Sequence, residues 1–520
     1  MKAADLPLYY NMCEILEHNL ETRAEKTAIL SDDGSLTFDE ASRQVNRIGN
    51  ALQKLDVRFG DCVAILSPDR PEWATSFFAA GKIGGIALGM NTLLKTEEYD
   101  YILGDSRARV LIVHDSLLSV IAPVIDKHKT LIQVVVIGDA GDTGYPEFND
   151  WIGGESDQLK AAHTHRDDFC SLHYSSGTTG MPKGVMHAHK DYPLIAQLSG
   201  VDVFGMTEND RTFSVAKLFF VYGIGGNLIF PWYVGASCVL YSGPPRQVAV
   251  VLKTIEKYQP TIFVSVPTVY GAILSLADFN ERFNLNSVRM CLSAGEALPA
   301  PAWQAWKDAT QLEILDTIGC TETYHTFMAN QPGAIKPGSS GKPIGGYDVR
   351  LVDDDGHDVP AGEVGHLMVR GESTALFYLH QAEKSRHTFR GEWLFTGDRY
   401  SMDEDGYYWH AGRGDDMLKV GGLWVSPVEI ENALSDHEAV TECGVVGHYD
   451  NAQLLKPKAF VCLRDGTEAS AELLGELLKL CAKSLDAHKR PRWIEFAEDL
   501  PRTATGKLQR FRLREQQARG

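Results

Sequence analysis

Several features that would mark a specialised class of protein are absent from this sequence. Its nine cysteines form no C-x-x-C pair and no cluster with histidine, which argues against a structural zinc site and against a disulfide framework. The N-terminus lacks the apolar core of a signal peptide, and no apolar run reaches the roughly 18 residues of a membrane span. We therefore expect a protein of the reducing cytoplasm that has no membrane partner.

Positive charge is also in short supply. The chain carries 50 lysines and arginines against 69 aspartates and glutamates, which gives a formal net charge of -19. Nucleic-acid binding depends on the neutralisation of phosphates by basic side chains, so we expect no nucleic-acid partner. A small anionic ligand is still compatible with this charge, because a local pocket can oppose the field of the whole molecule.

The hydrophobic pattern predicts an α/β fold. The chain has 520 residues, 44% of them hydrophobic, which is long for a single core. Short β-branched runs alternate with longer amphipathic segments, and this alternation is typical of α/β layers with mostly parallel sheets. The clearest runs are 63–66, 109–113, 131–137, 261–266 and 288–292. Thr37 and Glu40 form a capping box that predicts the start of a helix between two of these strands.

The pattern changes after about residue 344. Runs at 348–352 and 364–370, on either side of a turn at 353–356, predict a small β-rich subdomain. A Gly- and Asp-rich stretch then begins near Arg413, and Ser426 followed by Pro427 predicts a new helix. We place a domain boundary at this stretch, with a large N-terminal domain at 1–412 and a small C-terminal α/β domain at 413–520.

A loop rich in glycine and hydroxyl groups occupies residues 174–184, with the sequence YSSGTTGMPKG. Its glycines allow backbone N–H groups to converge on an anion, and its hydroxyls and lysine add further donors. The loop therefore predicts an oligophosphate cradle; a flexible linker is the less favoured alternative. It is not a Walker A motif, because Pro182 stands where that motif has glycine and Gly184 follows the lysine.

Other short motifs would each pass for an ordinary turn if they stood alone. They are SAGE at 293–296, GCTET at 319–323, TGD at 396–398 and LPRTATGK at 500–507. The first two follow apolar strands, so they lie at the strand ends where open α/β sheets bind ligands. Glu322 in the second motif is the kind of carboxylate that a magnesium ion beside phosphates requires.

Together these motifs resemble the adenylate-forming superfamily of acyl-CoA synthetases, adenylation domains and firefly-type luciferases. They appear in the family's order over nearly the whole chain. The resemblance implies ATP or AMP contacts from Ser175, Ser176, Gly177, Thr178, Thr179, Gly180, Lys183, Ala294, Gly295, Glu296, Asp316, Gly319, Thr321, Asp398 and Arg413. It also implies Mg2+ on Glu322, catalytic roles for Thr321, Glu322 and Lys507, a hinge at Asp415 in front of a mobile C-terminal domain, and a coenzyme A tunnel at Gly421 and Gly422.

The reaction implied by this resemblance has two steps. A carboxylate attacks the α-phosphorus of ATP to give an acyl-AMP and pyrophosphate, and the acyl group then passes to coenzyme A as AMP leaves. Both reactants of the first step are anionic, so the site must supply positive charge and alignment. The phosphate loop, Mg2+ on Glu322 and Lys507 are the groups that would supply it.

Within the superfamily, the stretches 217–223, 321–327 and 422–427 resemble benzoate-CoA ligases and related aryl-CoA ligases. The resemblance implies an acid pocket lined by Val221, Tyr222, Gly295, Gly319, His325 and Thr326. Benzoate-specific relatives tend to have alanine at the position of Val221 and isoleucine at that of Thr326. A hydroxyl at the latter position favours a substituted benzoate, and we place 2-aminobenzoate ahead of hydroxybenzoates and benzoate.

Two other functions share some of these features. A stand-alone adenylation enzyme that loads a carrier protein would have the same nucleotide motifs. A non-catalytic nucleotide-binding protein would have no need of a mobile lysine, so the joint presence of Glu322, Asp398 and Lys507 argues against it. The expected partners are an aromatic acid, ATP and coenzyme A, in a monomer or a homodimer.

Overall fold

The computed structural model describes residues 1–175, 181–244, 247–420, 423–451, 454–464, 466–502 and 508–519. The strands up to residue 343 are β1 (Thr27–Leu30), β2 (Leu36–Thr37), β3 (Cys62–Leu66), β4 (Ile86–Gly89), β5 (Val110–His114), β6 (Gln133–Ile137), β7 (Phe169–Ser175), β8 (Lys183–Ala188), β9 (Arg211–Ser214), β10 (Ser237–Val239), β11 (Ile262–Ser265), β12 (Met290–Ser293), β13 (Ile314–Gly319), β14 (Thr326–Ala329) and β15 (Lys342–Pro343). The later strands are β16 (Tyr347–Val352), β17 (Gly365–Gly371), β18 (Phe389–Arg390), β19 (Trp393–Met402), β20 (Tyr408–Arg413), β21 (Leu418–Val420), β22 (Leu423–Val425), β23 (Val440–Tyr449), β24 (Leu455–Leu463) and β25 (Trp493–Phe496).

Helices lie between and over these strands. The α-helices are α1 (Glu14–Glu17), α2 (Leu20–Arg23), α3 (Phe38–Lys54), α4 (Pro71–Lys82), α5 (Thr96–Ser106), α6 (Asp115–Ile125), α7 (Phe148–Gly153), α8 (Asp191–Ile195), α9 (Val221–Ile224), α10 (Phe230–Val234), α11 (Val248–Tyr258), α12 (Pro267–Leu274), α13 (Phe279–Arg282), α14 (Ala300–Thr310), α15 (Ala382–Thr388), α16 (Pro427–Ser435), α17 (Ala471–Ser484) and α18 (Arg510–Arg519). A π-helical segment, Gly225–Ile229, joins α9 to α10. Among the described helices, none has both the length and the apolar character that crossing a membrane requires.

Two large sheets form the N-terminal part of the molecule. A six-stranded sheet has the order β6-β5-β3-β4-β7-β8, and a nine-stranded sheet has the order β15-β14-β13-β12-β11-β9-β10-β1-β2. Pairing within both is parallel except for β8, β2, β14 and β15 at or near the edges. The predicted α/β class with mostly parallel sheets is therefore confirmed.

The sequence signals behind these elements act as expected. Glu40 N donates to Thr37 Oγ1 at 3.1 Å and Thr37 N donates to Glu40 Oε2 at 2.8 Å, so the capping box starts α3. Every residue of β3 is buried, as a strand covered on both faces requires. The run predicted at 131–137 begins as a strand only at Gln133, because Leu131 N closes a turn onto His128 O after α6.

Smaller sheets follow the large ones. Strands β16, β17, β19 and β18 form an antiparallel sheet with β20 paired to β19, which confirms the β-rich subdomain. The C-terminal part contains the hairpin β21–β22 and the sheet β23-β24-β25 with its own buried core. Ser426 caps α16 by accepting a hydrogen bond from Glu429 N at 3.2 Å. All nine cysteines are free.

Candidate functional site

Two antiparallel strands hold the ends of the predicted phosphate loop. β7 ends at Ser175, β8 begins at Lys183, and these two residues face each other across the strands. The pairing of β7 with β8 therefore fixes the positions of both ends of the loop at the edge of the sheet. The predicted contacts that lie between these ends are outside the described residues; they are Ser176, Gly177, Thr178, Thr179 and Gly180.

Lys183 lies among charged groups. Its Nζ is 5.0 Å from the centroid of the Tyr378 ring, and burial lowers the pKa of the ammonium group. Glu322 opposes that change in the pKa, whereas the cations Lys384 and Arg413 lower it further. Lys183 thus lies near two further cations, Lys384 and Arg413, as well as Glu322, and a cluster rich in cations suits a polyphosphate.

The predicted metal-binding motif forms a 3-10 turn, Thr321–Thr323, directly after β13. Glu322 is half-buried, and its Oε1 accepts a hydrogen bond from the Tyr378 hydroxyl at 2.6 Å. Its other oxygen accepts no hydrogen bond within the part of the chain that the structure describes. An oriented carboxylate with one oxygen available is a suitable ligand for Mg2+, which prefers oxygen donors.

Tyr378 is a site residue that sequence reasoning missed. A backbone bridge between Val185 and Tyr378, and a hydrogen bond from Leu379 N to Gly184 O at 2.8 Å, attach its segment to β8. The phenol then reaches both Lys183 and Glu322. Nothing in the surrounding sequence distinguishes this tyrosine from a core aromatic residue, and only the backbone bridge reveals its place.

The predicted ribose contact, Asp398, lies on β19 directly opposite Arg413 on β20. Arg413 Nη1 donates to Asp398 Oδ1 at 2.9 Å and to Thr396 O at 3.2 Å. Gly397, which lies between Thr396 and Asp398 in the sequence, has φ +81°, and a Cβ on it would lie 3.0 Å from Arg413 Nη2. Glycine at this position therefore lets the guanidinium lie against the strand beside the carboxylate.

The predicted adenine-side residues lie at the ends of neighbouring strands. Ser293 at the end of β12 pairs with Asp316 on β13, and Gly295 follows with φ +93°, in the region that favours glycine. Ala294 is buried. Burial raises the pKa of Asp316 to about 7, although a hydrogen bond from Leu298 N to its Oδ2 opposes the rise. This part of the site is therefore less polar than the part around Lys183.

The predicted acid pocket brings the start of α9 against β14. The rings of Tyr222 and His325 have centroids 5.4 Å apart, and the Tyr222 hydroxyl donates to Ser265 O at 3.2 Å. Burial lowers the pKa of His325 to about 4, so its imidazole is neutral near pH 7. Its Nε2 lies 3.2 Å from Tyr222 O and must donate the proton of that hydrogen bond.

The other wall of the pocket is built around the same histidine. His325 Nδ1 lies 2.9 Å from Thr326 Oγ1, so the threonine hydroxyl donates to the unprotonated nitrogen. The sequence predicts that the Thr326 hydroxyl favours a substituted acid. In this structure that hydroxyl is buried and bonded within the protein, so it would affect the choice of acid by holding His325 in place. A Cβ on Gly319 would lie 2.1 Å from His325 O, and one on Gly225 would lie 2.3 Å from His325 Cδ2. Gly225 is a second residue that the motifs did not reveal.

Ion pairs on either side delimit the predicted hinge. Arg413 is bound to Asp398 on the N-terminal side, and Asp416 is bound to Arg510 at 3.5 Å and Arg514 at 3.1 Å in α18. Two residues, Gly414 and Asp415, lie between these anchors. The arrangement is compatible with a pivot at this position.

The end of the chain also reaches the adenine-side turn. Arg502 Nη1 lies 3.6 Å from Glu296 Oε1, and the same guanidinium is bound to Glu442 in β23. This contact connects the segment before the predicted catalytic lysine to SAGE. Lys507 itself, and Gly421 and Gly422 of the predicted tunnel, lie outside the described residues.

Comparisons with known proteins agree with these features. The family model described as AMP-binding enzyme matches residues 16–379, and that of the AMP-binding enzyme C-terminal domain matches residues 429–507. A benzoate–CoA ligase of Thauera aromatica is 44% identical over 516 residues, which cover 98% of this chain and 97% of the relative.

Solved structures resemble the chain over its full length. The anthranilate CoA ligase AuaEII in complex with anthranoyl-AMP has a TM-score of 0.96 and 57% identity, with 99% of each chain covered. A benzoate CoA ligase from Burkholderia xenovorans LB400 has a TM-score of 0.90 and 38% identity, covering 97% of this chain and 100% of that one. The motifs, the strand-end site and these matches lead to one conclusion: the chain belongs to the AMP-binding enzyme family, beside its aryl-CoA ligases.

Proposed function

We propose that this protein is an AMP-forming aryl-CoA ligase that activates anthranilate (2-aminobenzoate). The observation that carries the proposal is the 57% identity, over 99% of both chains, with an anthranilate CoA ligase. Benzoate is the competing acid, because the benzoate–CoA ligase of Thauera aromatica is 44% identical and an anthranilate–CoA ligase of Pseudomonas aeruginosa only 34%.

The pocket supports a small aromatic acid. Tyr222 and His325 offer ring faces, while Gly295 and Gly319 leave backbone surfaces without side chains. Aromatic rings pack favourably against such flat apolar surfaces. A neutral His325 avoids placing a buried positive charge against the aryl ring, which fits a substrate whose only charge is its carboxylate.

The charged end of the site supports the first half-reaction. The carboxylate oxygen would form a bond to the α-phosphorus of ATP as the bond to pyrophosphate breaks. Lys183 and Arg413 would offset the repulsion between the two anions, and Asp398 would accept hydrogen bonds from the ribose. Glu322 would hold Mg2+, which supplies further positive charge to the triphosphate when bound.

The C-terminal domain would complete both half-reactions. In the first, Lys507 would approach the α-phosphate. In the second, the thiol of coenzyme A would form a bond to the acyl carbon as AMP leaves, after residues 413–520 turn about Asp415 and bring Gly421 and Gly422 to the site. The ion pairs that flank Gly414 and Asp415 support a pivot confined to those two residues.

A substrate panel tests the choice of acid. Purified protein with ATP, Mg2+ and coenzyme A should release AMP fastest with anthranilate, and more slowly with benzoate, hydroxybenzoates and short aliphatic acids. The exchange V221A/T326I introduces the residues typical of benzoate-specific relatives. It should shift the ratio of kcat/KM for anthranilate over benzoate about tenfold toward benzoate, because it removes the hydroxyl that holds His325 and changes the size of two pocket walls.

Two outcomes would contradict the proposal at different levels. If the wild-type protein prefers benzoate to anthranilate, the proposed acid is wrong but the proposed reaction class stands. If ATP releases no pyrophosphate with any aromatic acid, the proposed reaction class itself is wrong. Replacing coenzyme A by a carrier protein in the same assay distinguishes a ligase from a stand-alone adenylation enzyme.

A further inference from the structure

We propose that His187 is a positioning residue, which holds the turn carrying Glu322 at a fixed place relative to the phosphate loop. The inference deepens the proposed function and rests on it. His187 has no motif of its own and would otherwise count as one more buried histidine. Its contacts, however, join two parts of the site that are far apart in the sequence.

The side chain of His187 lies on β8, the strand that begins at Lys183, and it is fully buried. Its Nε2 lies 2.7 Å from Thr321 O, the first carbonyl of the Thr321–Thr323 turn. Its Nδ1 lies 2.9 Å from Asp191 Oδ2 in α8. β8 therefore carries Lys183 at its first residue, and near its last residue it binds the turn through the hydrogen bond of His187.

Asp191 fixes the orientation of the ring. Its Oδ2 also accepts a hydrogen bond from Ala188 N at 2.9 Å, so the carboxylate is itself held in place. Since a carbonyl oxygen can only accept, His187 Nε2 must carry the proton that it shares with Thr321. A ring held by hydrogen bonds at both of its nitrogens has a fixed orientation, so its contact with Thr321 O is fixed as well.

The remaining carbonyls of the turn are held from a different direction. Ala375 N donates to Glu322 O at 2.7 Å, and Ser373 Oγ donates to Thr323 O at 2.8 Å. Both donors belong to the segment that follows β17. The hydrogen bond from His187 thus connects the backbone of the turn directly to the six-stranded sheet, beside the link that runs from the Glu322 side chain through Tyr378 to β8.

The turn needs such support because the next residue is strained. Tyr324 has φ +69° and ψ -40°, a conformation that is costly for a bulky side chain. Its fully buried ring lies 5.1 Å from that of His187 and 4.6 Å from that of Tyr192. The strained residue lies between Glu322, which would face the phosphates of ATP, and His325, which would face the acid.

Two substitutions separate the contacts of His187. In H187Q the amide nitrogen takes the position of Nε2 and can still donate to Thr321 O. In H187N the amide takes the position of Nδ1, so the contact with Asp191 is kept and that with Thr321 is lost. We expect H187N to lose about 10- to 100-fold in kcat/KM for MgATP in pyrophosphate release, and H187Q to stay within about threefold of wild type.

A binding measurement complements the assay of activity. MgATP added without acid should raise the Tm of wild type and of H187Q more than ATP with EDTA does, whereas in H187N this difference should shrink. Thioester formation from preformed anthranoyl-AMP and coenzyme A uses no triphosphate, so H187N should retain most of that rate. His189 supplies the matched control, because it is also fully buried but accepts its hydrogen bond from Met12 N at 3.0 Å, away from the turn.

The outcomes distinguish this inference from the proposed function. Equal behaviour of H187N and H187Q toward MgATP, or losses no larger than those of H189N and H189Q, would overturn the role of His187. A wild-type protein that releases no pyrophosphate would instead remove the proposed function. If H187N does not fold, D191N and H187Q take its place in the test. Wild-type MgATP kinetics in D191N, together with a large loss in H187Q, would then also overturn the role of His187.

Discussion

Individual residues divide the site into a charged end and a neutral end. Lys183, Arg413 and Glu322 carry the charges at the end of the site that we propose for a triphosphate and its metal. Asp316 and His325 are titratable too, but burial raises the pKa of the first to about 7 and lowers that of the second to about 4. Burial disfavours the charged form of each group, and this suits the adenine and aryl parts of the ligands, which carry no charge.

The raised pKa of Asp316 has a direct consequence for stability. The folded protein binds the carboxyl proton more tightly than the unfolded chain does, so the free energy of unfolding falls as the pH rises from about 4 to about 7. D316N cannot ionise and avoids this loss. The difference in Tm between D316N and the wild type should therefore become more positive between pH 5 and pH 8.

Asp210 supplies a control of opposite sign. Burial would raise its pKa, but hydrogen bonds from Arg289 and Thr261 outweigh burial and lower it. D210N should therefore be less stable than the wild type at both pH 5 and pH 8. A D316N curve that runs parallel to the wild-type curve across this range would mean that Asp316 is not protonated by burial.

At the scale of elements, the site is assembled where strands end or pair. The apolar runs before SAGE and GCTET made those two strand ends predictable from the sequence, because parallel strands place their carboxyl ends at one edge. Pairings between distant segments were not predictable in the same way. The bridge from Val185 to Tyr378, and the opposition of Asp398 and Arg413, depend on contacts that leave no periodic signal in either segment.

The contact of Arg502 with Glu296 is the element-scale feature that most directly concerns the first half-reaction. It joins the segment before Lys507 to the adenine-side turn, at 3.6 Å and with both side chains largely covered. R502Q and E296Q should each slow pyrophosphate release about threefold to fivefold, the range of a partly exposed ion pair. The double variant should be no slower than the slower single variant, because both changes remove the same interaction.

The control for this pair is Glu442. It binds the same guanidinium but lies in β23, so E442Q leaves the contact with Glu296 in place and should change the rate less. The loss in R502Q should also diminish at high salt, which screens the pair in the wild type. Additive losses in the double variant would show that the two residues act separately.

At the scale of the whole molecule, the order of motifs predicted more than composition did. Composition and charge argued against some classes of protein and the hydrophobic pattern predicted the α/β architecture, while the succession of the phosphate loop, GCTET, TGD and LPRTATGK indicated the family. The supporting residues remained hidden, because a buried histidine such as His187 or a glycine such as Gly225 has the same appearance in sequence whether it packs a core or orients a ligand. Their roles come from three-dimensional contacts, which a single sequence does not encode as a pattern.

Buried histidines make the whole molecule sensitive to acid. Burial lowers the pKa of His173 to about 3, that of His189 to about 3 and that of His325 to about 4. In the unfolded chain these groups titrate near pH 6.5, so below that pH the three histidines together bind up to three more protons in the unfolded state than in the folded state. The raised pKa of Asp316 acts in the opposite direction and offsets about one of these protons between pH 4 and pH 7. The free energy of unfolding should then fall by up to about 3 kcal/mol per pH unit between about pH 6 and pH 4. Thermal midpoints measured from pH 7.5 downward check this, and H173Q, which removes one of the three groups, should make the decline less steep. A wild-type midpoint that stays constant down to pH 5 would mean that these three histidines are protonated within the folded protein.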